Sequence, residues 1–205
     1  MRLEHHDFRS ADLVGGDPAL DLVNTVTARD TQPRDWLDDY FALLRWARQT
    51  ECFARADLAT LETQAQAAPA KAAAALARCK ALREALCDAL YALAHGRAPT
   101  PPDLDTIDQA RLAASKAARL VSRDSRLQTH WSAERSGLDL IAHVITAYAI
   151  ELLKDARVDR LRVCDGNDCG WVFIDTSKSG RRRWCDMATC GNVAKARRFQ
   201  QRQRE

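Results

Sequence analysis

The chain has 205 residues, of which 46% are hydrophobic and 29% charged, with only 6% aromatic. Those proportions suit a globular protein of one medium domain plus a small module, and abundant alanine favours helix. No uninterrupted apolar run reaches the ~18 residues of a membrane span, and MRLEHHDFRS lacks the apolar core of a signal peptide. The expectation is a cytoplasmic protein, with no membrane partner, whose seven cysteines stay reduced. The net charge of +3 is uneven: residues 157–205 carry 12 Lys/Arg against 6 Asp/Glu, a net of +6, which leaves residues 1–156 at −3. A basic end on an acidic body predicts a face for a polyanion.

Along the chain, GGDPALDLVNTV (15–26) reads as a turn and a short helix, with Asp17 as its cap and Pro18 in its first turn. Asn24 and Thr25 read as capping residues at its far end. Residues 34–49 place Leu37, Tyr40, Phe41 and Leu44 on one helical face, and a short helix follows near 56–67. From 70 to 94 the line Leu76, Cys79, Leu82, Leu86, Leu90, Leu93 marks a long amphipathic helix. APTPPD (98–103) reads as a loop before a helix over 104–117. ARLVS and LQTHW, separated by RDSR, read as a β-hairpin. Residues 136–154 are apolar on two faces, which predicts a central buried helix. Its pair Asp139 and His143 reads as a structural hydrogen bond, and His5–His6 as part of a mobile terminus.

The densest signal lies beyond residue 160. Cys164, Cys169, Cys185 and Cys190 follow the pattern C-x4-C-x15-C-x4-C. Two close pairs can close a tetrahedral all-sulfur site, and thiolates favour zinc or an iron–sulfur cluster. Unrelated cysteines or two disulfides are the alternatives. LRVC and WVFID read as strands around the loop DGNDCG, and a last helix is expected over about 189–203 with Thr189 as its cap. A knuckle between strands followed by a helix carrying the second pair is a treble clef. Four thiolates leave no open position for water, so one zinc ion per chain would be structural. Cys52, Cys79 and Cys87 lie in helical patterns and read as small core or boundary residues.

The fold expected is therefore α+β and mostly helical. An N-terminal helical domain with a small hairpin (1–156) precedes a treble-clef-like four-cysteine zinc module (157–205). The body has apolar stripes of its own and is expected to keep its helices when zinc is removed.

The stretch RLRVCDGNDCGWVFIDTSKSGRRRWCDMATCGNVAKARR resembles the CGNR zinc finger of bacterial regulators, and GGDPALDLVNTV resembles the opening of the ABATE domain that precedes it. Together these resemblances span essentially the whole chain. They imply a stress-induced transcriptional regulator that binds DNA. The family string Cys-Gly-Asn-Arg is here Cys190, Gly191, Asn192 and then Val193 in place of the arginine.

Arg181, Arg182 and Arg183 beside Trp184, with Lys195, Arg197, Arg198 and Arg202 on the last helix, are the candidate phosphate contacts. Asn192, Arg197 and Gln200 are the candidates for reaching base edges. The N-terminal domain would sense a small molecule or a protein, or mediate association. RNA binding, or a zinc-scaffolded surface for an acidic protein, are the competing readings. No Gly-rich phosphate loop, HExxH or Ser/His/Asp set is present, so an enzyme is not expected.

Overall fold

The computed structural model describes residues 1–203, apart from the side chains of Arg198 and Arg202. The chain opens with a two-residue strand, β1 (Arg2–Leu3), and a 3-10 turn (Ser10–Asp12). Helix α1 (Pro18–Val23) is capped by Asp17, whose carboxylate accepts from the Ala19 amide at 3.1 Å, with Pro18 in the first turn as expected. Strands β2 (Val26–Thr27) and β3 (Arg34–Asp35) follow. They join β1 in a sheet of order β1–β3–β2, in which Arg2 and Leu3 lie parallel to Arg34 and Asp35, and Val26 and Thr27 antiparallel to Asp35 and Arg34.

This sheet was not expected, and it shortens the helix read over 34–49. Asp35 turns inward, accepting from the Leu37 amide at 3.0 Å, and Asp39 caps a helix that starts only at Tyr40 (α2, Tyr40–Gln49). Leu37 still reaches the core, from extended backbone.

Helices α3 (Arg55–Ala67) and α4 (Pro69–Ala94) match the apolar spacing. The 26 residues of α4 make a rod of about 39 Å. Leu76, Cys79, Leu82, Leu86 and Leu90 are buried along it, against α1, α2, α3 and the later helices α5 and α7. Helix α5 (Pro101–Ala117) takes in part of the stretch read as loop, because Pro101 and Pro102 fit a first helical turn that needs no amide donors. The expected hairpin is present: β4 (Arg119–Arg123) pairs antiparallel with β5 (Arg126–His130).

The apolar run near 136–154 is not one helix. A short α6 (Ala133–Ser136) ends at Gly137, whose φ of 54° favours glycine, and a 3-10 turn leads into α7 (Leu140–Lys154). By length and composition alone Ala133–Lys154 could cross a membrane. In the fold, one face of α7 (Ile141, Ile145, Ala149, Leu152) is core, packed on α1, α4 and α5. The other face is not buried, contrary to expectation: Tyr148 is 39% exposed, and Val144, Ala147 and Ile150 are half-covered.

After a 3-10 segment (Ala156–Arg160), β6 (Leu161–Val163) and β7 (Val172–Ile174) form a second hairpin. Leu161, Val172 and Ile174 belong to the same buried cluster as α1, α4 and α7, so the core runs across the junction near residue 156. A π-type turn (Met187–Gly191) leads into α8 (Asn192–Arg202). Asp186 and not Thr189 caps this end, accepting from the Thr189 amide at 2.8 Å.

The interior also holds charge. Arg83, only 1% exposed, forms a two-pronged pair with Asp35 at 2.7 and 2.9 Å and donates to Thr25 Oγ1 at 3.0 Å. Lys80 meets the same carboxylate at 2.8 Å. Burial would raise the Asp35 pKa, but hydrogen bonds and charge from Arg83 and Lys80 outweigh it and hold the carboxyl below its ordinary range. Glu84 extends the network to Arg29, which also donates to the Val23 carbonyl.

Candidate metal centre and nucleic-acid interface

Four side chains converge at the C-terminal end of the fold. Cys164 follows β6, Cys169 ends the loop before β7, Cys185 lies between the basic loop and the π-type turn, and Cys190 sits within that turn. Their four Sγ atoms all lie within 4.8 Å of one another. The Cys169–Cys185 and Cys185–Cys190 sulfurs are 3.7 and 3.8 Å apart. A disulfide would bring a pair to about 2.05 Å, and all seven cysteines are free. A tetrahedral zinc with Zn–S bonds of about 2.3 Å separates its sulfurs by about 3.8 Å. The pocket therefore has the dimensions of a four-thiolate zinc site.

Backbone amides prepare the sulfurs for charge. Gly166 and Cys185 donate N–H to Cys164 Sγ at 3.4 and 3.3 Å. Hydrogen bonds from Cys169 and Cys185, then those amides, pull the Cys164 thiol far down against the effect of burial. The same contacts raise the Cys169 and Cys185 thiols, chiefly through their hydrogen bonds to Cys164, with burial and the charge of neighbouring thiolates adding to the effect. A divalent cation reverses that penalty and lets all four ionise. Gly166 closes the approach: a Cβ there would lie 3.0 Å from Cys190 Sγ and 3.1 Å from Cys169 Cβ. Phe173, Trp171 and Trp184 pack around the sulfurs.

The N-terminal body grips this loop. Asn24, read from sequence as a cap, uses its side-chain amide as a strand edge. It donates to the Val172 carbonyl and accepts from the Val172 amide, each at 2.9 Å. Thr25 does cap, donating to the Leu22 carbonyl at 2.7 Å. The Ala28 amide donates to the Cys169 carbonyl at 2.9 Å, from an unusual backbone with φ of 55°. Thr27 donates to the Asp168 carbonyl at 3.1 Å, and Tyr91 donates to that of Gly170. Trp36 meets Trp171 edge-on, with ring centres 5.5 Å apart. Apart from the Thr25 cap, none of these partners was legible as such, since each depends on residues about 140 positions away or on the long helix.

The basic residues divide into two groups. Arg182 is turned inward: its guanidinium lies 4.6 Å over the Phe173 ring and donates to the carbonyls of Trp184 and Cys185, while its amide donates to buried Asp175. It braces the module, with two of its three guanidinium nitrogens already engaged by backbone carbonyls. Arg181 is exposed. Arg183 is exposed too, with Asp165 at 2.7 Å and Trp184 beneath it. Lys195, Arg197 and Gln200 are exposed on α8, and Asn192 donates to the Ala188 carbonyl at 3.1 Å. Val193 is 52% exposed and borders a small groove with Arg197 and the 165–169 loop. The side chains of Arg198 and Arg202 lie outside the described residues.

Two smaller readings also change. Asp139 holds Arg78 through two hydrogen bonds, at 2.9 and 2.8 Å, and is not paired with His143. His6 is not in a loose terminus: it stacks on Trp36 at 3.7 Å and reaches Asp12 at 2.9 Å. Cys79 and Cys87 are core and Cys52 is a half-buried boundary residue, as expected.

Residues 16–156 match the family model ABATE, described as "Putative stress-induced transcription regulator". The chain belongs to that family. Residues 160–203 match the CGNR zinc finger. The ABATE match starts at Gly16 and so takes in α1 and Asn24, and the zinc-finger match contains all four cysteines. No curated protein matches the chain.

Proposed function

We propose that this ABATE protein is a cytoplasmic transcriptional regulator that holds one structural zinc ion on Cys164, Cys169, Cys185 and Cys190 and binds duplex DNA through the surface the zinc organises. The observation that carries the reading is helix α8. Its described side chains are exposed, apart from half-covered Ala194, and no acidic residue occurs from Asn192 to Gln203. A helix with almost no buried face gains little from the core, and its charge suits a polyanion.

At 100° per residue, Asn192, Val193, Ala196, Phe199 and Gln200 share an uncharged arc of about 120°. Lys195 and Arg197 flank it on opposite sides. That pattern fits a major groove: cations meet the phosphates, amides read adenine edges, and Val193 and Ala196 rest on thymine methyls. Arg181 and Arg183, in the segment leading to Cys185, add two more cations.

The test is binding of the zinc-loaded chain to random duplex pools over a range of salt. With about four to six phosphates neutralised, log affinity should fall against log salt with a slope of roughly −4 to −5. Absence of binding at about 50 mM salt would reject DNA as the target. Exposed Met187 and Phe199, the latter 64% accessible, favour a protein partner as the second reading. Binding that single-stranded RNA displaces more readily than duplex would point to RNA.

A further inference from the structure

A cleft of about 1190 Å³ opens on the side of the body bounded by α7, α5, the α2–α3 turn and the β4–β5 hairpin. Its floor is the uncovered apolar face of α7: Val144, Ala147, Tyr148 and Ile150. Phe53 and Trp131 form aromatic walls. The volume lies just above the ~300–1,000 Å³ usual for small-molecule sites, so the cleft has room for one such ligand.

The hairpin indicates the chemistry of the occupant. An antiparallel ribbon beside a core ordinarily turns its apolar face inward and its charges outward. Here the arrangement is inverted. Leu120 and Leu127 are 72% and 74% exposed. The opposite face, set by the register, carries Arg119, Val121, Arg123, Arg126, Gln128 and His130. Val121, Arg123, Gln128 and His130 from this face line the cleft.

Arg123 lies directly across from Arg126. Like charges opposite one another destabilise a hairpin unless a counter-charge sits between them. The acids of the cleft do not serve. Asp17 caps α1 and pairs with Arg157, Asp57 accepts from the Ala133 amide, and Glu151 pairs with Lys154. Glu51 borders the cleft from the other side, on the α2–α3 turn. Arg111 is already paired with Asp108.

We infer that this cleft binds a small amphipathic organic anion, its apolar body on the α7 floor and its anionic head on Arg123 and His130 of the hairpin. The inference does not depend on DNA binding. It identifies the site and ligand class by which the body would sense a signal.

The test uses the zinc-loaded full chain and 8-anilinonaphthalene-1-sulfonate as a fluorescent probe, displaced by decanoate or by neutral decanol. Saturable one-site binding is expected, with decanoate displacing the probe at least about tenfold better than decanol. The double variant Arg123→Ala with His130→Ala alters exposed or half-exposed side chains and should retain the fold. It should reduce the preference for decanoate to less than about threefold. Ala147→Trp should fill the floor and abolish probe binding, with an unchanged circular dichroism spectrum as its control. Equal displacement by the two ten-carbon compounds, or an undiminished preference in the double variant, would overturn the inference. Either result leaves the DNA titration unaffected, so the two proposals fail separately.

Discussion

Gly166 leaves little room for a side chain beside the four sulfurs. A methyl at this position would lie 3.0 Å from Cys190 Sγ with Cys169 Cβ on its other side. Gly166→Ala should weaken zinc binding by about ten- to a hundredfold, as changes just outside a ligand shell do. Competition with a chromophoric chelator reads that loss. Cys185→Ser, at the most buried of the four ligands, should abolish stoichiometric zinc, measured by metal analysis of protein purified without chelator. A third prediction concerns Asp35. Asp35→Asn leaves the Arg83 guanidinium buried without its counter-charge and should cost about 3–5 kcal/mol in denaturant unfolding. Because the folded-state pKa of Asp35 is lowered, its contribution is complete at neutral pH and disappears as pH falls through the folded pKa. The gap between wild type and variant should therefore narrow below about pH 4. The cysteines were legible because their spacing is local. Asn24 was not, because its partner, Val172, lies 148 positions away and an Asn after a short helix reads equally well as a cap.

The helices were legible wherever apolar residues recurred at threes and fours, as along α4. The strands β1, β2 and β3 are two residues each, too short to show any alternation, and tertiary pairing alone creates them. Helix α7 shows the limit of pattern reading: periodicity reports an apolar face but not what covers it. The loop 181–183 and α8 both read as basic, yet sequence could not separate Arg182 from Arg181 and Arg183. The structure separates them, and so does an experiment. Arg181→Ala with Arg183→Ala should flatten the salt slope of DNA binding by about 2 without changing zinc affinity. Arg182→Ala should instead lower the thermal stability of the zinc module, because two side-chain hydrogen bonds and the contact with Phe173 are lost together.

For the whole molecule, the body and the zinc finger share one core and one set of hydrogen bonds. Chelation should therefore do more than release the last helix. The 164–170 loop anchors β2 and the end of α1, so zinc removal should lower the unfolding midpoint of the entire chain, read by circular dichroism, while the α4 signal persists at low temperature. Asn24→Ala should act from the opposite side, weakening zinc retention from a residue that touches no sulfur. Unaltered zinc affinity in that variant would show that the two parts are energetically separate.

The grip of Asn24 on Val172 also sets an order of events in time. In a chain emerging from the ribosome, α1 and β2 appear long before their hydrogen-bond partners and the apolar cover supplied by Val172 and Ile174, which come more than 140 residues later. At about 5–20 residues per second, the opening segment waits on the order of ten seconds with Leu20, Leu22 and Val23 incompletely covered. Contacts of such long separation also form slowly. The nascent body is thus a natural client for chaperones until the last cysteines appear, and zinc capture is the step that ends that exposure.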